Sequence, residues 1–387
     1  MLRRDLLRKL AGGLLLPLVP QSLIAAAQKT GRRLVLVELS GANDGLNTVI
    51  PFQDHRYREL RPQIGIERKD MIALDSGFAL HGAMRPVMES WDDGDLAILP
   101  GLGYPNPNRS HFKSIALWET GGDGNGSGRS GWLTDAVEGM SENADLDAHG
   151  ISLDGGMGVF SSPSGIWLSM TSAAQFTKLA DQPFPAYSET DNPALSLLLG
   201  RMQSLQTSMQ RITTKLRRAR RQRFRIGGND FARQLSQTAI LIDAGINAPV
   251  LKVQLGGFDT HENQTWRHRR LLRDLTQALA GFRMHLRQRG HWDNTLVLTY
   301  SEFGRRAVEN QSHGTDHGTA APHFVLGGRV NGGFYGTYPD LGDLDEGDLK
   351  YTMDYRAVYD RVLVNWFDLP NHRFRTFQDS RLKSMIS

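Results

Sequence analysis

The chain of 387 residues contains no cysteine. That excludes disulfides, a thiolate nucleophile, Cys-ligated zinc and iron–sulfur clusters. Any metal has to be held by His, Asp or Glu, which points to harder ions or to zinc in a nitrogen and oxygen site. Long apolar runs are also missing. The run that starts at Leu10 is broken by Gly12, Gly13, Pro17 and Pro20, and it falls short of the roughly 20 residues a membrane span needs. An excess of one charge is the third absence. Residues 1–27 hold four basic residues and one acidic one, net +3, and the whole chain is +4, which leaves +1 for the remainder. The chain therefore lacks the electrostatic footprint of a nucleic-acid binder, and no nucleic-acid partner is expected.

What is present begins with the leader. Arg3, Arg4, Arg8 and Lys9 precede the apolar run, and Ala25, Ala26 and Ala27 follow it. This is the layout of a cleavable export signal over 1–27, with no permanent span once it is removed. The paired arginines before Asp5, Leu6 and Leu7 resemble a twin-arginine signal. The expected location is therefore periplasmic or secreted, with the twin-arginine export machinery as a partner.

Hydrophobic residues make up 40% of the chain and charged residues 22%, so a folded protein is the default. "RRLVLVEL", "DLAILPGLG", "APVLKVQL", "NTLVLTY" and "PHFVLGG" read as strands. "SHFKSIALWET" reads as a helix with Ser110 as a plausible N-cap, and "RRLLRDLTQALAGFRMHLRQ" as an amphipathic helix. Alternating strands and helices predict an α/β layered fold with a mostly parallel central sheet. Residues 121–131 are a glycine-rich loop, and 191–245 reads as a helical basic insertion. The run from Lys215 to Arg225 has seven basic residues and no acid. It fits either a solvated helix face or a site for an anionic polymer. No internal repeat and no second domain is evident, so 28–387 reads as one domain.

Four segments carry chemically useful side chains just after predicted strands: Asn43, Asp44 and Asn47; Asp259, His261 and Asn263; Ser301, Glu302 and Arg305; and His313, Asp316, His317 and His323. In open parallel sheets, ligands bind at the carboxyl ends of strands. Carboxylates with imidazoles from separate loops suit a divalent cation in a hydrolytic site. Each segment also has a plainer reading. Asp259-x-His261 is compatible with an ordinary turn, Glu302 with a salt bridge to Arg305 or Arg306, Asp316 with a turn start, and His313 with a solvated loop. Asn108, Arg109, Ser110 and His111 stand at a strand-to-helix junction, where an anion docks readily. Ser110 there is either a nucleophile or a helix cap.

The ordered set "LSGANDGLNTVIP", "LHGAMRPVMESWDDGDLAILPGLGYPNPNRSHFKSIALWETG", "QLGGFDTHENQ", "TYSEFGRRAVENQSHGTDHGTAAPHFVLGG" and "VNGGFYG" resembles the bacterial domain-of-unknown-function 1501 family. That resemblance implies a three-layer α/β/α sandwich of the alkaline phosphatase and sulfatase type. It implies a metal site from Asp44, Asp259, His261, Glu302, Asp316 and His317. It also implies a catalytic group of Ser110, Arg109 and His111, with Ser110 as nucleophile and Arg109 as oxyanion clamp. The cofactor expected is a divalent metal, zinc foremost, with manganese, magnesium or calcium as alternatives. The chain departs from the superfamily pattern in the tight Asp-Thr-His spacing and in Glu302-Phe303, where an Asp-His pair is common. The function expected is an exported metal-dependent hydrolase of phosphate or sulfate esters, with a small anionic ester or glycan as substrate. The alternative is a non-catalytic binding protein for an anionic glycan or envelope polymer.

Overall fold

The computed structural model describes residues 31–74, 77–122, 130–134, 136–137, 146–162, 164–182, 191–219, 224–369 and 372–387. Residues 1–30, which include the expected export signal, lie outside the described residues, as do most of the glycine-rich loop and residues 220–223 of the basic run. No helix among the described residues is long and apolar enough to cross a membrane.

Short apolar runs form the centre of the fold. The strands are β1 (Arg33–Ser40), β2 (Leu96–Gly103), β3 (Gly150–Ser152), β4 (Trp167–Ser169), β5 (Val250–Gly256), β6 (Thr295–Tyr300), β7 (Ala321–Gly327), β8 (Gly333–Phe334) and β9 (Met353–Asp354). They make one nine-stranded sheet in the order β8-β2-β7-β6-β1-β5-β3-β4, with β9 also against β2. β1 pairs in parallel with β5 and β6, whereas β7 runs antiparallel to β2 and β6. Reversal of β7 has a functional consequence. Its entry loop lies on the same edge as the exits of β1, β2, β5 and β6, so residues 316–320 join the loops that follow those strands.

The strands are buried on both faces because helices cover both. Alternate residues of β1 belong to different cores. Val35, Val37 and Leu39 pack on one side with α4 (Asp230–Asp243) and α5 (Gln264–Gln288), while Leu34 and Leu36 pack on the other with α1 (His111–Thr120) and α6 (Tyr355–Arg361). This gives the expected three α/β/α layers. α2 (Ala173–Ala180) and α3 (Pro193–Ala219) complete the first side. α3 buries Met209, Ile212 and Leu216 in the core, and the basic run at its end is partly neutralised: Lys215 pairs with Asp147 and Arg217 with Asp181. Within the sheet, Glu38 of β1 interrupts the apolar pattern and is neutralised by buried Lys252 of β5, which also holds Asp154.

His323 of β7 is fully buried against Trp118, and neither ring nitrogen has a hydrogen-bond partner. Burial pushes its pKa down to about 3; burial lowers His268 to about 3 and His81 to about 4. In the unfolded chain these rings protonate near the ordinary value of about 6.5. The folded pKa values are depressed, so the unfolded state binds more protons between about pH 6.5 and 3. Their stabilisation is complete above about pH 6.5 and is lost as the pH falls through that window. Urea melts at pH 7 and pH 4 test this. His323→Leu is expected to recover a part of the acid loss of the order of 3 kcal/mol. An equal loss in variant and wild type would contradict the assignment.

Candidate metal centre

Four of the loops at this edge are locked together before any ligand is considered. Leaving β1, Gly41 and Ala42 both adopt positive φ, 106° and 66°. Consecutive N–H groups in such a turn form an anion-binding concavity, and both donate to the Glu302 carboxylate at 2.9 and 3.0 Å. Gly41 has to be glycine, since a Cβ there would lie 2.4 Å from the Asp259 nitrogen. Ser301 Oγ adds a further hydrogen bond to Glu302 at 3.0 Å. The carboxylate's other contact is His111 Nδ1 at 3.1 Å.

That contact decides the tautomer of His111. A carboxylate accepts, so Nδ1 carries the proton and Nε2 presents a lone pair. The same logic holds twice more. His317 Nδ1 donates to the Arg109 carbonyl at 2.9 Å, and His261 Nδ1 to Asp316 Oδ1 at 3.2 Å. The freed Nε2 atoms then meet. His317 Nε2 lies 3.1 Å from His111 Nε2 and 2.9 Å from His261 Nε2. The Asp259 carboxylate stands among them, 3.0 Å from His261 Nε2, 3.3 Å from His317 Nε2 and 3.6 Å from His111 Nε2. Burial opposes the charge on Asp259, but its hydrogen bond and ion pair with Arg305 outweigh burial and hold its pKa below the ordinary value. Burial lowers the pKa of His317, so a neutral ring is favoured there. Phe303 packs 5.0 Å from the ring of His111 and 4.9 Å from that of His317, which fixes both planes.

Imidazole lone pairs and a carboxylate facing one another repel unless a proton or a cation lies among them; Arg305 supplies part of that charge, with Nη2 on Asp259 and Nη1 3.5 Å from His261 Nε2. Ligand atoms of His111, Asp259 and His317 all fall within 4.8 Å of one another. His111, Asp259 and His317 offer two nitrogens and one oxygen, with His261 Nε2 beside them; such a nitrogen and oxygen set fits zinc, and imidazoles backed by carboxylates and a carbonyl are the usual support of such ligands.

The structure redistributes several expected roles. Asp259, His261 and His317 converge. Glu302 and Asp316, expected as ligands, sit behind His111 and His261 and accept their Nδ1 protons. His111, expected in the catalytic group, has its Nε2 among the converging donors. Asp44 is the clearest correction. Its carboxylate is buried and forked onto Arg61, at 2.7 and 3.1 Å, and Gln264 donates to it as well. Both oxygens are consumed. Burial opposes its ionisation, but the Arg61 charge and hydrogen bonds outweigh burial and keep its pKa below the ordinary value. Arg109 is corrected too. Its guanidinium is paired with buried Asp348, and only its backbone carbonyl serves the centre. Ser110 precedes α1, but its side chain makes no capping hydrogen bond. Arg305 does not pair with Glu302; it binds Asp259. Arg61, Gln264 and Asp348 were not singled out by sequence, because their partners lie 17, 220 and 239 residues away.

A family profile described as "Protein of unknown function (DUF1501)" matches residues 100–370. The chain belongs to the DUF1501 family. The match takes in every converging donor and stops short of the Gly41–Ala42 turn, so the DUF1501 region carries the centre and β1 supplies part of its support. No curated protein matches the chain. Among solved structures it is similar to the lipoteichoic acid synthase LtaP from Listeria monocytogenes, at 10% identity over 94% of this chain and 78% of that one, TM-score 0.40. It is similar to the C-terminal periplasmic domain of EcEptC from Escherichia coli, in complex with Zn, at 10% identity over 76% and 72%, TM-score 0.35. A protein in the alkaline phosphatase superfamily from Vibrio parahaemolyticus is 9% identical over 81% and 70%, TM-score 0.33.

The two carboxylate classes separate experimentally. Asp44→Ala strands a buried arginine and is expected to cost about 3–5 kcal/mol in urea unfolding, with metal stoichiometry unchanged in the folded fraction. Glu302→Gln leaves His111 without its anionic acceptor and is expected to weaken metal binding about 10–100-fold. Loss of metal from Asp44→Ala without loss of stability would reverse the assignment.

Proposed function

We propose that this chain is an exported, zinc-dependent hydrolase of phosphate or sulfate esters, with the metal held by His111, Asp259, His261 and His317. The observation that carries the reading is the convergence of the imidazole Nε2 atoms on the Asp259 carboxylate, each backed by an acceptor on Nδ1. Zinc bound there would polarise a non-bridging ester oxygen and lower the pKa of a nearby hydroxyl or water. Magnesium and calcium prefer oxygen-rich shells and suit these donors less well.

The chain's own residues prepare the rest. Ser110 adjoins His111, and its hydroxyl is not spent on capping α1. It is our candidate nucleophile. Arg305 stays on Asp259 and holds that carboxylate in place, while Phe303 excludes water from one side of His111 and His317. Export rests on the basic and apolar layout of residues 1–27. The alternative, a binding module built on the basic run, is disfavoured by the pairing of Lys215 and Arg217 with acidic neighbours.

Metal analysis of the purified chain and a panel of p-nitrophenyl phosphate, bis-p-nitrophenyl phosphate and p-nitrophenyl sulfate test the proposal together. We expect about one zinc per chain and turnover of at least one ester that a chelator abolishes and zinc restores. Ser110→Ala is expected to lower kcat by roughly a thousandfold or more with zinc retained. A chain that holds no metal and turns over none of these esters would contradict the proposal.

A further inference from the structure

A cavity of about 920 Å³ opens beside the centre, between the loop after β2 and the 344–351 hairpin. Its volume lies in the roughly 300–1,000 Å³ range of small-molecule sites. Its walls continue those of the metal centre. Arg109 lines it two residues before His111, and Thr319 lines it two residues after His317. A substrate with its ester group at the centre can therefore extend into this cavity along the chain segments that the two share.

We infer that the cavity binds the uncharged, hydroxyl-rich part of the substrate, a saccharide unit; this rests on the ester-hydrolase reading of the adjoining centre. The lining decides the chemistry. Its two cations are already engaged, Arg109 by Asp348 and Lys350 by Asp343. No unpaired cation is left to receive a second anionic group. Asp345 and Glu346 also line the cavity, and among the described residues their carboxylates make no side-chain hydrogen bond. They repel anions and accept hydrogen bonds from hydroxyls. Tyr351, 40% exposed as a residue, brings an aromatic side chain to the cavity wall. Asn106, held exposed at φ 52°, adds an amide that both donates and accepts. An aromatic face for the C–H side of a sugar, with carboxylates and an amide for its hydroxyls, is complementary to a pyranose ring.

Titration calorimetry of the zinc-loaded chain with cellohexaose, maltohexaose, laminarihexaose and chitohexaose tests the inference. At least one should bind, and Tyr351→Ala should weaken that binding about tenfold. Glu346→Gln, at the exposed hairpin tip, should weaken it as well, with zinc content and thermal midpoint unchanged. Absence of binding by all four at millimolar concentration would overturn the inference. So would binding indifferent to both substitutions, or salt-sensitive binding of spermine in place of the sugars. Intact zinc and ester turnover without oligosaccharide binding would overturn the cavity alone. Oligosaccharide binding by a chain that holds no metal and cleaves no ester would overturn the hydrolase reading and leave the cavity assigned.

Discussion

A single buried guanidinium organises the functional edge of this protein. Arg305 is fully buried, and a buried charge is tolerated only when it is paired and its hydrogen bonds are satisfied. Its Nε donates to the carbonyl of Ala42, its Nη1 to Thr315, and its Nη2 to Gly41, Phe258 and the Asp259 carboxylate. The loops after β1 and β5 and the loop before β7 are thereby tied to the loop after β6. The only anion in this set is Asp259, so the charge balance of Arg305 and the position of the central carboxylate are one constraint. Lysine has neither the planar fork nor the number of donors to replace it.

Below this clamp lies a second polar layer that explains Asp44. Gln264 at the start of α5 donates to Asp44 and accepts from Thr260 and Thr315 at 3.0 and 2.7 Å. The Asp44–Arg61 pair thus supports the same segments that carry Asp259, His261 and Asp316. Arg61 also reaches the carbonyls of Arg306 and Ala307. Asp44 acts on the centre through packing and hydrogen bonds, with no oxygen to spare for a cation.

Much of this was readable from residue order. β1, β2, β5, β6 and β7 coincide with apolar runs, and α1 and α5 with helical spacing. Parallel order then places the polar loops at one edge, where Asp259, His261 and His317 come together. The three-residue strands β3 and β4 are too short to show periodicity, and β8 and β9 pair through two residues each. Within the site, sequence order conveys the type of side chain but not its partner. Asp44 and Asp259 look alike as post-strand aspartates, and each pairs with a buried arginine, yet Asp44 gives both oxygens to Arg61 and Gln264 whereas Asp259 meets Arg305 and three imidazoles. Glu302 stands behind His111 for a similar reason. The positive-φ turn at Gly41 and Ala42 captures the carboxylate with backbone N–H groups, and the imidazole projects beyond it. The Arg109–Asp348 pair spans 239 residues, a separation no local pattern records.

X-ray absorption at the zinc edge of the loaded chain is the most direct measurement of the central claim. The account predicts a first shell dominated by imidazole nitrogen with one or two oxygens, at about 2.0–2.1 Å, and loss of imidazole scattering in His317→Ala. A shell of oxygen alone, or an imidazole count unchanged by that substitution, would contradict it.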